Sequence, residues 1–97
     1  MEALADDAYT DDLTGLRNRR YLMERLLEEV EKAHRYDYPI ACLAIDVDEA
    51  QPIDDELGPV SLDDLLVEVG MTLRNYSRTY DIVARYDNTL FAAILPH

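Results

Sequence analysis

A chain of 97 residues with 48% apolar composition suffices for one small domain with one modest core, which excludes wholesale disorder. Its 21 acidic and 9 basic residues give a net charge of −12, a surface that repels nucleic-acid phosphates and anionic membranes, so neither is expected as a partner. No run is long enough to span a bilayer, the first residues lack the regions of a secretory leader, and the single Cys42 cannot pair within the chain; a reducing, cytoplasmic setting is expected.

Residues 1–12 are polar and read as a linker or the remnant of an N-terminal helix, with the domain proper over residues 13–97. "TGL" at Thr14–Leu16 is a turn into a helix expected from about Asn18 to Asp37, with an apolar stripe of Leu22, Leu26, Val30 and Ala33. Acids fall early in that helix and Lys32, His34 and Arg35 late, as the helix dipole prefers, and Pro39 ends it. "IACLAIDV", Ile40–Val47, is a short apolar run that reads as a strand covered on at least one face, with Cys42 as a buried thiol.

An acidic loop follows, and then Leu62, Leu65, Leu66, Val69, Leu73 and Tyr76 trace a second helical stripe with Ser61 as its N-cap and Asp63 and Asp64 in the favourable first turn. "YDIVARY" and "LFAAILP" form a hairpin about a turn at Asp87-Asn88, residues that tolerate a positive φ; the second strand, apolar throughout, should be the more central. Helix, strand, helix, strand, strand predicts an α/β two-layer sandwich: a three-stranded mixed sheet, one hairpin strand parallel beside the first strand, and both helices on one face. Asp46 and Asp48 have the spacing of an EF-hand loop, but Ala50, Gln51 and Leu57 stand where that loop needs a ligand, a glycine and a glutamate, so an EF-hand is rejected.

"DDLTGLRNRRYL", Asp11–Leu22, resembles the N-terminal signature of the diguanylate cyclase (GGDEF) family, and the order of a strand ending in "DVD", a helix with an early Asp, "RY" and a hairpin turn is similar over nearly the whole chain. The resemblance implies a ferredoxin-like palm of the nucleotide-cyclase type, making cyclic di-GMP from two GTP at a dimer interface. It also implies two carboxylates holding divalent metal, one at the end of the first strand, matched by Asp46, and one in a turn reading Gly-Gly-Asp/Glu-Glu-Phe. Here that turn is Asp87, Asn88, Thr89, Leu90, Phe91. Side chains replace the glycines that allow close approach of substrate, and a hydroxyl and an isobutyl group replace anionic metal ligands.

Other matched positions depart too. Ala50-Gln51 stands for Phe-Lys, Asp54 for the guanine-reading Asn, Gly58-Pro59 for Gly-His and Leu62 for the Gly before Asp63, the retained guanine-site acid. The chain ends at His97, just past the hairpin, where the family continues. A catalytically inactive scaffold is therefore expected, whether a natural pseudo-enzyme fragment or a product of stabilising redesign, with no cofactor beyond weak magnesium at Asp46. One ligand site remains by resemblance. Arg78-Thr79-Tyr80-Asp81 stands at the spacing of the family's Arg-x-x-Asp product-inhibition site, which implies cyclic di-GMP binding through Arg78 and Asp81; the alternative is an Arg–Asp surface pair at a helix-to-strand corner. In the family fold the first strand has neighbours on both sides, so "IACLAI" is expected as an exposed apolar edge and the chain as a homodimer.

Overall fold

Asn18 starts the first helix for a local reason: its side chain accepts the Tyr21 amide at 3.1 Å, satisfying a donor that the first turn leaves over. The computed structural model describes residues 8–47 and 61–96, and within them the order is β1 (Arg17–Asn18), α1 (Arg19–Tyr36), β2 (Ile40–Asp46), α2 (Leu62–Tyr76), β3 (Ile82–Arg85) and β4 (Leu90–Pro96). Helix α1 ends on Asp37, whose φ of 56° turns the chain out of the helix two residues before Pro39. Ser61 caps α2 as expected, accepting from the Asp64 amide at 3.1 Å, with Asp63 and Asp64 in the first turn. The first turn of α1, by contrast, carries Arg19 and Arg20 and no acid.

The sheet has four strands in the order β1-β3-β4-β2, not three. The extra strand is the two-residue β1, parallel to β3 and too short to be legible as a strand. Strand β4 is central, as its apolar run predicts. It pairs antiparallel with β3 and, along all seven residues, with β2. The strand beside β2 is thus antiparallel rather than parallel: the crossover through α2 skips one position, and the returning arm of the hairpin fills it.

Strand register assigns the faces. Ile82 opposes Ile94 and Ala84 opposes Ala92, and these side chains pack with Leu22, Leu26 and Tyr21 of α1. Val83 and Phe91, one residue out of phase, pack with Leu62, Leu66, Val69 and Leu73 of α2. The helices therefore lie on opposite faces of the sheet. This corrects the two-layer expectation, and the reason is in β4 itself, whose continuous apolar run serves a core on each side.

Two burial assignments also change. On α1 the sheet-facing row is Leu22, Leu26, Glu29 and Ala33; Val30 is 48% exposed while Glu29 is 3% exposed. The buried carboxylate is held by Arg25 at 2.8 Å and Lys32 at 3.5 Å. The Arg25 hydrogen bond holds its pKa below the ordinary range, against the opposing effect of burial and with help from Lys32. Among the described residues β2 has a strand partner on its β4 side alone, so Ala41–Ala44 are exposed there and Cys42 is an exposed free thiol rather than a core residue.

Candidate functional site

The hairpin between β3 and β4 closes without any positive φ: among the described residues only Gly15 and Asp37 have one. The amides of Tyr86 and Asp87 both donate to the Leu90 carbonyl, at 2.7 and 3.1 Å, so two residues face one in a bulge. A side chain reinforces the long backbone closure, in which the Leu90 amide donates to the Asp87 carbonyl at 3.4 Å. Arg85 donates to the Asn88 carbonyl through Nε at 3.1 Å and Nη2 at 2.8 Å, and its Nη1 reaches both oxygens of Asp11 at 3.2 and 3.3 Å. Asp11 in turn accepts the Thr14 amide at 2.9 Å and the Thr14 hydroxyl at 2.8 Å, which fixes the "TGL" turn. Burial raises the Asp11 pKa, but the Thr14 donors and Arg85 outweigh it and hold the carboxyl below its ordinary value.

That turn is anchored from α2 as well. Arg74 Nη2 donates to the Gly15 carbonyl at 2.6 Å, and a methyl group at Gly70 would stand 3.2 Å from Thr14 Cβ. None of these links was anticipated from the sequence. For Glu29 a signal existed, since the spacing Leu22, Leu26, 29, Ala33 continues a regular helical row better than 30 does.

Asp46, at the end of β2, stands directly opposite Leu90 in the ladder. The ladder runs one step further, with the Val47 amide donating to the Thr89 carbonyl at 2.8 Å, and this places the Thr89 hydroxyl 3.0 Å from Asp46 Oδ1, to which it donates. Phe91 is fully buried beneath α2, while Asp87 and Asn88 are exposed. Among the described residues no group of three His, Cys, Asp or Glu side chains converges. One carboxylate, already hydrogen-bonded to a hydroxyl and faced by an isobutyl group, does not fit a magnesium centre that needs several hard, anionic oxygens. Asp63 is exposed in the first turn of α2; Asp54, Asp48 and the loop positions 50–51 and 57–59 lie outside the described residues.

A shallow cleft of about 280 Å³ beside the turn is lined by Asp11, Asn18, Arg19, Arg85, Tyr86, Asp87 and Asn88. A larger one, about 740 Å³, opens elsewhere, between α1 and the corner at residues 77–83, and includes Arg17, Arg25, Lys32, Arg74, Tyr80 and Asp81. At that corner Asp81 Oδ2 accepts the Arg78 amide at 2.8 Å, and the Asp81 amide donates to the Arg78 carbonyl at 3.1 Å. The two residues are joined through backbone, and no ion pair between their side chains occurs among the described residues.

The family model described as diguanylate cyclase, GGDEF domain, matches residues 8–97. The chain belongs to the GGDEF family. It is 35% identical over 96 residues to the diguanylate cyclase DgcP of Pseudomonas aeruginosa, covering 99% of this chain and 14% of that protein. It is 37% identical over 93 residues to the diguanylate cyclase TpbB of the same organism, covering 96% and 21%. The chain thus spans about a fifth or less of these two curated relatives. Among solved structures it is similar to the P. aeruginosa diguanylate cyclase SiaD in complex with its activator SiaC (37% identity, TM-score 0.80, covering 98% of this chain and 36% of that one). It is also similar to the coiled coil and GGDEF domain of DgcB from Caulobacter crescentus in complex with c-di-GMP (28% identity, TM-score 0.80, covering 98% and 50%). No described helix is long and apolar enough to cross a membrane.

Proposed function

We propose that this GGDEF chain is a catalytically inactive family member, a scaffold with no diguanylate cyclase activity. The observation that carries the reading is the Thr89 hydroxyl resting on Asp46 Oδ1 at 3.0 Å, with Leu90 directly opposite Asp46. Two metal ions on a triphosphate need converging anionic oxygens, and these positions offer a hydroxyl and an alkyl group. Incubation of the protein with GTP and magnesium, followed by mass spectrometry for cyclic di-GMP and its linear intermediate, tests this. No product above a protein-free control is expected, and turnover above that control would overturn the reading.

A second reading is cyclic di-GMP binding at the Arg78–Asp81 corner. It is favoured by the exposed Arg78, by the second carboxylate oxygen of Asp81, which has no hydrogen bond among the described residues, and by Arg17 and Arg74 on the same cleft as Asp81. Related GGDEF structures hold c-di-GMP, that of DgcB among them. Calorimetric titration with the dinucleotide decides it: heat of binding that Arg78→Ala abolishes supports the site, and no heat at high micromolar ligand removes it. A reducing cytoplasmic location suits the free Cys42.

A further inference from the structure

We propose that Glu29 is a built-in brake on anion binding: its buried carboxylate engages the two α1 cations of the large cleft, Arg25 and Lys32, and so sets the affinity of that cleft for a phosphate-bearing ligand. The inference rests on the reading that places cyclic di-GMP at the Arg78–Asp81 corner, and it assigns to the α1 wall of the same cleft a residue that limits such binding.

The cleft is an electrostatic exception. In a chain of net charge −12 with nine basic residues, Arg17, Arg25, Lys32 and Arg74 all line this one cavity, against the two acids Glu29 and Asp81. A concave wall of that sign attracts anions that the rest of the surface repels. The four cations are tied down unequally. Arg74 donates to the Gly15 carbonyl and serves the turn. Arg17 lies over the Tyr21 ring, 4.6 Å from its centre, and its guanidinium has no hydrogen bond or ion pair among the described residues. Arg25 and Lys32 instead converge on a single oxygen, Glu29 Oε2, at 2.8 and 3.5 Å. That oxygen takes both cations as a phosphate oxygen would.

Stability does not explain the carboxylate. Glu29 stands in the sheet-facing row of α1, where a leucine would continue the apolar pattern, and its side chain is 4% exposed. Burying a charge there costs desolvation that ion pairing at best offsets, so an apolar residue of similar volume is often as stable or more so. Its partners do not depend on it, because the side chains of Arg25 and Lys32 both reach water. What Glu29 does change is the charge that the cleft offers a ligand, which it lowers by one unit. An incoming phosphate must displace an anion that is tethered beside the same two cations and that dilution never removes.

Calorimetric titration of cyclic di-GMP into the full chain, the parent against Glu29→Gln and Glu29→Leu, tests the brake. Each substitution removes the charge, and the leucine also continues the apolar row, so the comparison survives if a buried amide is poorly accommodated. Glu31→Gln is the control: it makes the same change in net charge on the same helix, at an exposed residue paired with Arg35 and outside the cleft. Both Glu29 variants should bind about 5-fold or more tightly than the parent, while Glu31→Gln stays within about 2-fold. Adding Lys32→Gln to Glu29→Leu should cancel the gain. Equal or weaker binding by both Glu29 variants, with the parent still binding, overturns the brake and leaves the reading of the corner intact. An equal gain in Glu31→Gln reduces the effect to net charge and also overturns it. Heat from the Glu29 variants alone supports the brake and removes binding by the parent; no heat from parent or variants overturns both.

Discussion

Thr89 donates its hydroxyl hydrogen to Asp46 Oδ1 across 3.0 Å, joining the hairpin turn to the end of β2. Asp46 is exposed, so water can replace the hydroxyl in Thr89→Val, and the expected loss is below about 1 kcal/mol by urea denaturation. Magnesium at 10 mM should leave the melting temperature unchanged. A site with a dissociation constant of 0.1 mM would add about 2.7 kcal/mol at that concentration, so a clear upward shift would contradict the account of the site.

Asp11 couples fold stability to pH. Its pKa is depressed in the folded chain, as is that of Glu29, so each carboxylate contributes stability that is present above its unfolded pKa, near 4, and is lost as pH falls through the lower folded value. Acid should therefore destabilise the protein below about pH 4. Asp11→Asn should cost about 1–3 kcal/mol at neutral pH and flatten the acid limb of a stability-against-pH curve measured by chemical denaturation. An unaltered acid limb would show that Arg85 gains nothing from the Asp11 charge.

Gly70 sets helix propensity against packing. Alanine would favour α2 by about 1 kcal/mol, but its methyl would sit 3.2 Å from Thr14 Cβ and 3.4 Å from Leu16 Cδ1. The Thr14 segment cannot retreat easily, since Asp11 and Arg74 hold it from two sides. Overpacking of this kind costs about 1–3 kcal/mol, so Gly70→Ala is expected to be net destabilising by thermal melting. A raised melting temperature would mean that the turn is looser than its hydrogen bonds indicate.

Phe91, near the start of β4, is held by packing. With Leu66 and Leu16 it forms the core beneath α2. Phe91→Ala should cost about 3–5 kcal/mol, enough to unfold a domain of this size, whereas Asn88→Ala, exposed and bonded chiefly through its carbonyl, should change stability by less than about 0.5 kcal/mol. Circular dichroism melts of the two variants separate these outcomes.

Helices α1 and α2 were legible because each repeats apolar residues at helical spacing and ends on recognisable caps, and the hairpin was legible from its two apolar runs. Face and neighbour were not. An all-apolar strand such as β4 reads the same whether helices cover one side or both, and β1 is only two residues of parallel pairing fixed by tertiary contact. The absence of charge at Thr89 and Leu90 could be read directly from the sequence. The link from Arg85 to Asp11 spans 74 residues and leaves no local pattern.

Arg85 grips the turn chiefly by the Asn88 carbonyl, at 2.8 Å, with a longer contact of 3.3 Å to Asn88 Oδ1, and it holds Asp11 with the same guanidinium. The hairpin thus depends only in part on what residues 87–90 carry outward: Asp87 Oδ1 accepts the Asn88 amide at 2.8 Å, but the grip of Arg85 is chiefly on backbone. Exchange of the outward side chains there leaves this backbone grip in place, which makes the fold a poor witness to activity.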